Sequence, residues 1–282
     1  MGMKIKHPKP NTLKNLMTKQ LLAALVLAIS TGLLVIFINL HFTLATPSSL
    51  WDQSGLDQII CENNHTCRDV ALQRLYISQS KIHSLPPTLT KWEDSTNSGD
   101  YFSQVTKTEV GYLVWSKFPI TVQIQRPTGI NNQQAQVWVD NVLQTVQEWN
   151  NYLPLKVVEQ PEIADITIER KTPPLEFSRD QKIPRARSAL TSYELYTLHH
   201  VLLHRFSILL SPSQTGRHLL AASRHELGHA LGIWGHSSLE IDALYFSQVR
   251  NSPPISPRDV NTLKRVYQQP TSLGWALEIS KK

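Results

Sequence analysis

Within twelve residues, from His225 to His236, the chain reads HELGHALGIWGH. Imidazole and carboxylate are the side chains that hold a catalytic zinc ion and move the proton of its water. His225 and His229 are four residues apart, so on a helix both rings leave one face and reach one ion through a ring nitrogen. Glu226, next to the first ligand, reaches the open coordination position as a general base. Gly232 tolerates the backbone angles that end a helix and turn the chain back, which returns His236 as a third ligand. Three protein ligands and one water make the open arrangement of a catalytic zinc, in contrast to the closed four-ligand arrangement of a structural one. The expected chemistry is hydrolysis of an amide bond. Zinc lowers the pKa of its water towards 7, Glu226 takes the proton as the carbonyl is attacked, and the same carboxyl returns it to the leaving amine.

A bare HExxH arises by chance in a chain of this length about one time in a hundred on ordinary residue usage. The added glycine and third histidine are what give the string its weight. It resembles the metzincin signature HExxHxxGxxH and, within that clan, the matrixins; more narrowly it is similar to matrixin-like peptidases predicted from cyanobacterial genomes. After His236, SSLEIDALY is similar to the run that leads into the buried methionine turn of matrixins. Further on, ISPRDVNTLKRVYQQ (Ile255 to Gln269) resembles the helix that closes their catalytic domains. The resemblance implies an α+β fold: a twisted, mostly parallel sheet, one long helix, the zinc-binding helix and a small C-terminal lobe after Gly232. It also implies a zinc-dependent endopeptidase with one Zn2+ held by His225, His229 and His236. Its peptide or protein substrate would lie extended along an edge strand within Ala186 to Tyr196.

Two positions depart from that pattern. The family places two residues between the glycine and the third histidine, whereas three separate Gly232 from His236. Gly235 is expected to absorb the extra residue through its freedom of backbone angle, with Glu240 and Asp242 as substitute ligands. Leu244 stands where the family has methionine, and leucine can fill a similar volume beneath the site. Tyr245 follows the turn and is not assigned to the metal.

These side chains need elements to hold them. FPITVQIQ, Phe118 to Gln125, alternates as a strand does, with Ile120, Val122 and Ile124 on one face. Asn131 to Asn151 changes to helical spacing, with Ala135, Val139, Val142, Val146 and Trp149 aligned. Leu155 to Val158, Ala164 to Arg170 and Phe206 to Leu210 read as further strands. The catalytic domain is therefore expected over residues 111–275, about 165 residues and ample for one core, with 276–282 as a tail. Residues 41–110 read as an accessory or linker region. It has a short amphipathic helix at Arg68 to Tyr76 and a Pro- and Ser-containing stretch from Lys81 to Asp100, whose role as spacer, propeptide remnant or packing cover the sequence leaves open.

At the N-terminus a basic leader, 1–20, precedes an apolar run, 21–40. Twenty helical residues span about 30 Å, the hydrocarbon thickness of a bilayer. The positive-inside rule keeps Lys4, Lys6, Lys9, Lys14 and Lys19 in the cytoplasm and sends the catalytic domain out. A single-pass anchor is the preferred reading; a signal peptide cleaved after the small-residue pair Thr43 and Ala45 is the alternative. Those five lysines supply most of the chain's net charge of +6. The basic balance thus reports topology and gives no case for nucleic acid. Cys61 and Cys67, the only cysteines, suit a short disulfide loop in an oxidising compartment. Neither sits in a segment like the one matrixin proforms use to cap zinc. His199, His200 and His204 are read as solvated loop histidines in preference to a second metal site, and His218 as a surface or packing residue. Two other functions remain open: a metzincin-fold scaffold without activity, or a zinc amidase acting on cell-wall peptides.

Overall fold

The structure, a computed structural model, describes residues 59–61, 80–175, 186–249 and 251–277, with side chains from Ser80 onward. The N-terminal leader and apolar run, the Arg68 to Tyr76 helix, the Cys61–Cys67 pairing and the last five residues lie outside the described residues or side chains. Among the described residues, no helix is long and apolar enough to cross a membrane.

Among the described residues six strands form one mixed sheet: β1 (Ile59–Cys61), β2 (Ile120–Ile124), β3 (Leu155–Val158), β4 (Ile166–Arg170), β5 (Ala189–Leu198) and β6 (Val201–Leu210). Their spatial order is β1-β5-β6-β4-β2-β3. β3, β2, β4 and β6 run parallel, while β5 is antiparallel to β6 and to β1. The α-helices described beside them are α1 (Pro87–Lys91), α2 (Asn132–Asn150), α3 (Gly216–Ala230) and α4 (Pro257–Tyr267). The fold is α+β.

Local sequence explains most of these elements. In β2 and β4 the alternate residues Ile120, Val122, Ile166 and Ile168 are buried, which is the pleat of a sheet with one face on the core. α2 starts where the Asn131 side chain accepts the Gln134 N–H at 2.8 Å, an N-cap for an otherwise orphaned donor. Its inward stripe is Ala135, Trp138, Val142, Thr145, Val146 and Trp149, so Trp138 and Thr145 join the expected face and Val139 is half-buried. α4 begins with a capping box: Ser256 accepts the Asp259 N–H, and the Asp259 carboxylate accepts the Ser256 N–H.

α2 fixes the position of α3. Trp149 Nε1 donates to the Arg224 carbonyl at 3.0 Å, and the Thr145 and Ser223 hydroxyls meet at 2.8 Å. Arg224, 5 % exposed, forks onto both carboxylate oxygens of Glu148 at 2.6 and 3.0 Å. Planar bidentate pairing of this kind sets orientation as well as energy.

Two regions differ from the sequence expectation. First, the folded unit includes residues from Ser80, upstream of the Gly111 boundary. Leu89, Tyr101, Val105 and Val110 are buried in the same core as the sheet and helices, and Lys81 exchanges backbone hydrogen bonds with Thr271 at 3.0 Å. Within the Lys81 to Asp100 stretch, Leu89 is part of that core, with Leu85 and Trp92 packed against it. Second, the histidine cluster is a loop only at His199 and His200. β6 begins at Val201 and pairs along its full length with β5 through a hairpin whose turn is His199–His200, both at positive φ (50° and 63°), the backbone that suits a two-residue hairpin loop. Those two rings are exposed, but His204 is 3 % exposed within β6, its ring centroid 4.0 Å from that of Trp115.

Candidate metal centre and active site

α3 is the most deeply enclosed helix, with nine of its fifteen residues buried, and it carries His225, Glu226 and His229. It ends at Leu231. Gly232, at φ +126°, then turns the chain, and an added Cβ there would meet the Leu113 carbonyl at 2.7 Å. Two successive tight turns follow, with Trp234 N–H on the Gly232 carbonyl and Gly235 N–H on the Ile233 carbonyl, both at 2.9 Å. Through these contracted links His236 arrives against the helix, its ring beside those of His225 and His229.

Gly235 contributes differently from expectation. Its φ is not positive. What it supplies is room: a Cβ would lie 2.1 Å from the Gln104 carbonyl oxygen and 2.9 Å from Val105 Cα. The backbones of 104–106 and 234–235 run side by side there, joined by Thr106 N–H on the Trp234 carbonyl at 2.9 Å.

The three rings converge. Ligand nitrogens of His225, His229 and His236 lie within 4.8 Å of one another, close enough to bind one metal ion. His225 Nδ1 donates to the Ala243 carbonyl at 3.0 Å, and His229 Nδ1 donates to the Ile233 carbonyl at 2.7 Å. Each carbonyl fixes the proton on Nδ1, so each Nε2 presents a lone pair. Those two Nε2 atoms stand 3.0 Å apart. Two lone pairs facing at that distance repel unless a positive charge sits between them. Protons are disfavoured in that role, because burial draws His225 down to about 4 and His229 well below its ordinary range. The donor set therefore fits a cation bound by neutral imidazoles.

Glu226 is 8 % exposed. Burial pushes its carboxyl up to about 7, opposed by the hydroxyl of Thr191 and the charge of Arg187. A cation among the histidines would pull it back down. Thr191 Oγ1 lies 2.6 Å from Glu226 Oε2 and 3.1 Å from the Glu226 carbonyl oxygen.

The substitute ligands take other roles. Asp242 is fully buried and accepts from Ser237 Oγ (2.5 Å), Ser256 Oγ (2.7 Å) and Arg258 Nε (3.1 Å). It braces the loop, and Glu240 is exposed; neither belongs to the histidine cluster. Leu244 is fully buried beneath α3, so close that a Cβ on Gly228 would fall 2.6 Å from its Cδ2. The floor beneath the histidines is thus apolar. Tyr245 is half-buried on the cleft wall and makes ring contact with Phe246. His218 is exposed on α3 and also lines the cleft, away from the triad.

Sequence reasoning missed two participants. Asp259, in α4, accepts the Ala243 N–H at 2.8 Å and the Tyr101 hydroxyl at 2.5 Å. It therefore fixes the turn whose carbonyl orients His225. Its local task is the capping box of α4; its second task, at the Ala243 turn, joins residues sixteen positions apart. Thr191 carried no local signal.

A cleft of about 880 Å³ opens over these groups, bordered by Ala186 to Leu190, His218, Trp234, Tyr245, Phe246 and Pro253. β1 covers β5 only at Tyr193 to Leu195, so among the described residues the Ala189 to Ser192 edge has no strand partner on that side. The chain matches no family model and no curated protein.

Proposed function

We propose that this protein is a membrane-anchored zinc-dependent endopeptidase of metzincin, matrixin-like type. One observation carries the reading. A half-buried and a buried imidazole, His225 and His229, each locked by a backbone carbonyl, bring their free nitrogens within 3.0 Å of one another, with a third histidine and a buried carboxylate beside them. When bound, zinc supplies an electrophile for the scissile carbonyl and makes water acidic enough to attack near neutral pH. Glu226 accepts the proton of the attacking water and delivers it to the leaving amine. The open Ala189 to Ser192 edge and the cleft along it suit an extended peptide that pairs through its backbone. The basic leader and apolar run of the sequence support a location of this domain on the outer face of a membrane.

The test compares the full chain with its Glu226→Gln variant at equal zinc content, using an unfolded, sequence-diverse protein as substrate and mass spectrometry as readout. The parent is expected to cleave, and the variant to keep zinc while losing about 10²–10⁴-fold in rate. Zinc at one per chain with no cleavage by the parent would refute the proposal in favour of an inert scaffold. Cleavage confined to cell-wall peptides would refute it in favour of an amidase.

A further inference from the structure

We infer that Thr191 is the residue that positions Glu226 for proton transfer; the inference rests on the reading of Glu226 as the base. Thr191 is fully buried on β5, opposite Ile208 of β6 in the sheet register. Its hydroxyl has one proton and two acceptors in reach, both from Glu226: Oε2 at 2.6 Å and the backbone carbonyl at 3.1 Å. The shorter contact marks the carboxylate as the main acceptor, since hydrogen bonds to ionised oxygen are the shorter and stronger kind.

The geometry gives this contact a catalytic consequence. A glutamate has three side-chain torsions, and proton transfer requires its carboxylate within hydrogen-bond reach of the water and then of the amine. Holding Oε2 on a fixed hydroxyl orients the carboxylate and leaves Oε1 for the proton. Threonine suits the task because its branched Cβ restricts χ1, and the β5–β6 ladder fixes the backbone beneath it. Thr191 also lies in the Ala189 to Ser192 stretch that β1 does not cover. The strand bordering the cleft and the base above it are thereby one mechanical unit, so a peptide aligned on β5 is aligned on Glu226 as well.

A purely structural role would satisfy a buried oxygen and affect stability alone. The full chain is compared with Thr191→Ser, Thr191→Ala and Glu226→Gln by zinc content, thermal midpoint, and kcat and KM on a peptide that the parent cleaves. Serine and alanine both lose the methyl group and differ only in the oxygen, so folding losses shared by the pair cancel when rates are normalised to folded protein. Thr191→Ser is expected to keep kcat within about threefold, and Thr191→Ala to lose about 10–100-fold with KM within about twofold, the scale of a base displaced by about an ångström. Added to Glu226→Gln, Thr191→Ala should cost no further rate, the non-additivity of two groups acting as one. Equal kcat for the serine and alanine variants would overturn the inference while leaving Glu226 as base, provided Glu226→Gln is inactive. A parent that cleaves nothing removes the base reading and this inference together.

Discussion

Replacing Gly235 with alanine tests whether backbone proximity, and not backbone angle, returns His236 to the metal. The added Cβ would sit 2.1 Å from the Gln104 carbonyl oxygen, whereas ordinary contact begins near 3.4 Å. The two segments must therefore part by about 1.3 Å. All the opposing atoms are backbone, so no rotamer change relieves the clash. Parting stretches the 2.9 Å bond from Thr106 N–H to the Trp234 carbonyl beyond useful length. A lost hydrogen bond with an unsatisfied group costs about 1–3 kcal/mol, and local overpacking a further ~1–3 kcal/mol. For a domain of this size each kcal/mol lowers Tm by roughly 2–4 °C. If the strain moves 234–236 instead, His236 shifts by a distance that metal bonds do not tolerate, since they hold to about 0.2 Å. Zinc affinity should then fall about 10–100-fold, as when a group supporting a ligand is removed. Thermal unfolding of metal-free protein and competition with a chelator read the two effects separately. A Gly235→Ala protein with parental Tm and a zinc Kd within threefold would refute the steric reasoning.

Other perturbations have equally definite outcomes. His204 stays neutral in the native state because burial holds its pKa near 3, and its Nε2 has no hydrogen-bond partner among the described residues. The unfolded chain takes up a proton below about 6.5, so this contribution to stability is full above that pH and is lost as pH falls towards 3. His204→Phe should recover about 2 kcal/mol at pH 5 relative to pH 7.5, measured by urea unfolding of metal-free protein; an unaltered pH slope would count against it. Leu244→Ala should destabilise by about 2–5 kcal/mol through the cavity under α3, and Leu244→Met by less than about 1.5 kcal/mol; equal losses would show that the floor is not packed as described. Zinc at a hundredfold excess over its Kd should add about 2.7 kcal/mol to stability, a gain that calorimetry should find absent in His229→Ala.

Elements whose packing matches a local period were legible in the chain. α4 was expected from its resemblance to a family helix; β2, β3, β4 and α2 lie within two residues of their expected bounds because alternation and helical spacing encode them directly. The pairing of His225 with His229 was legible for the same reason: the two lie one helical turn apart. The β5–β6 hairpin was only half visible. Its turn is His–His, without the glycine or asparagine that usually marks positive φ, and the pairing across it was needed to turn a histidine cluster into one strand residue and two turn residues. The stretch from Ser80 to Val110 resembled a linker because single anchors such as Leu89 and Tyr101 bury it, and isolated anchors have no period. Glu240 and Asp242 looked like ligands because carboxylates near a metal motif invite that reading. Which way each side chain faces depends on Arg258 and Ser256, partners outside the motif. The same limit hid Thr191, which reaches Glu226 from thirty-five positions upstream.

Asp259 shows where a loss of function can originate. Its carboxylate holds the Ala243 N–H, and the Ala243 carbonyl holds the proton on His225. A variant at position 259 would keep all three histidines and Glu226 yet remove the acceptor that holds the turn orienting the first imidazole. In a genetic screen such lesions would phenocopy substitution of a ligand. A survey of motif residues alone would score the damaged protein as intact.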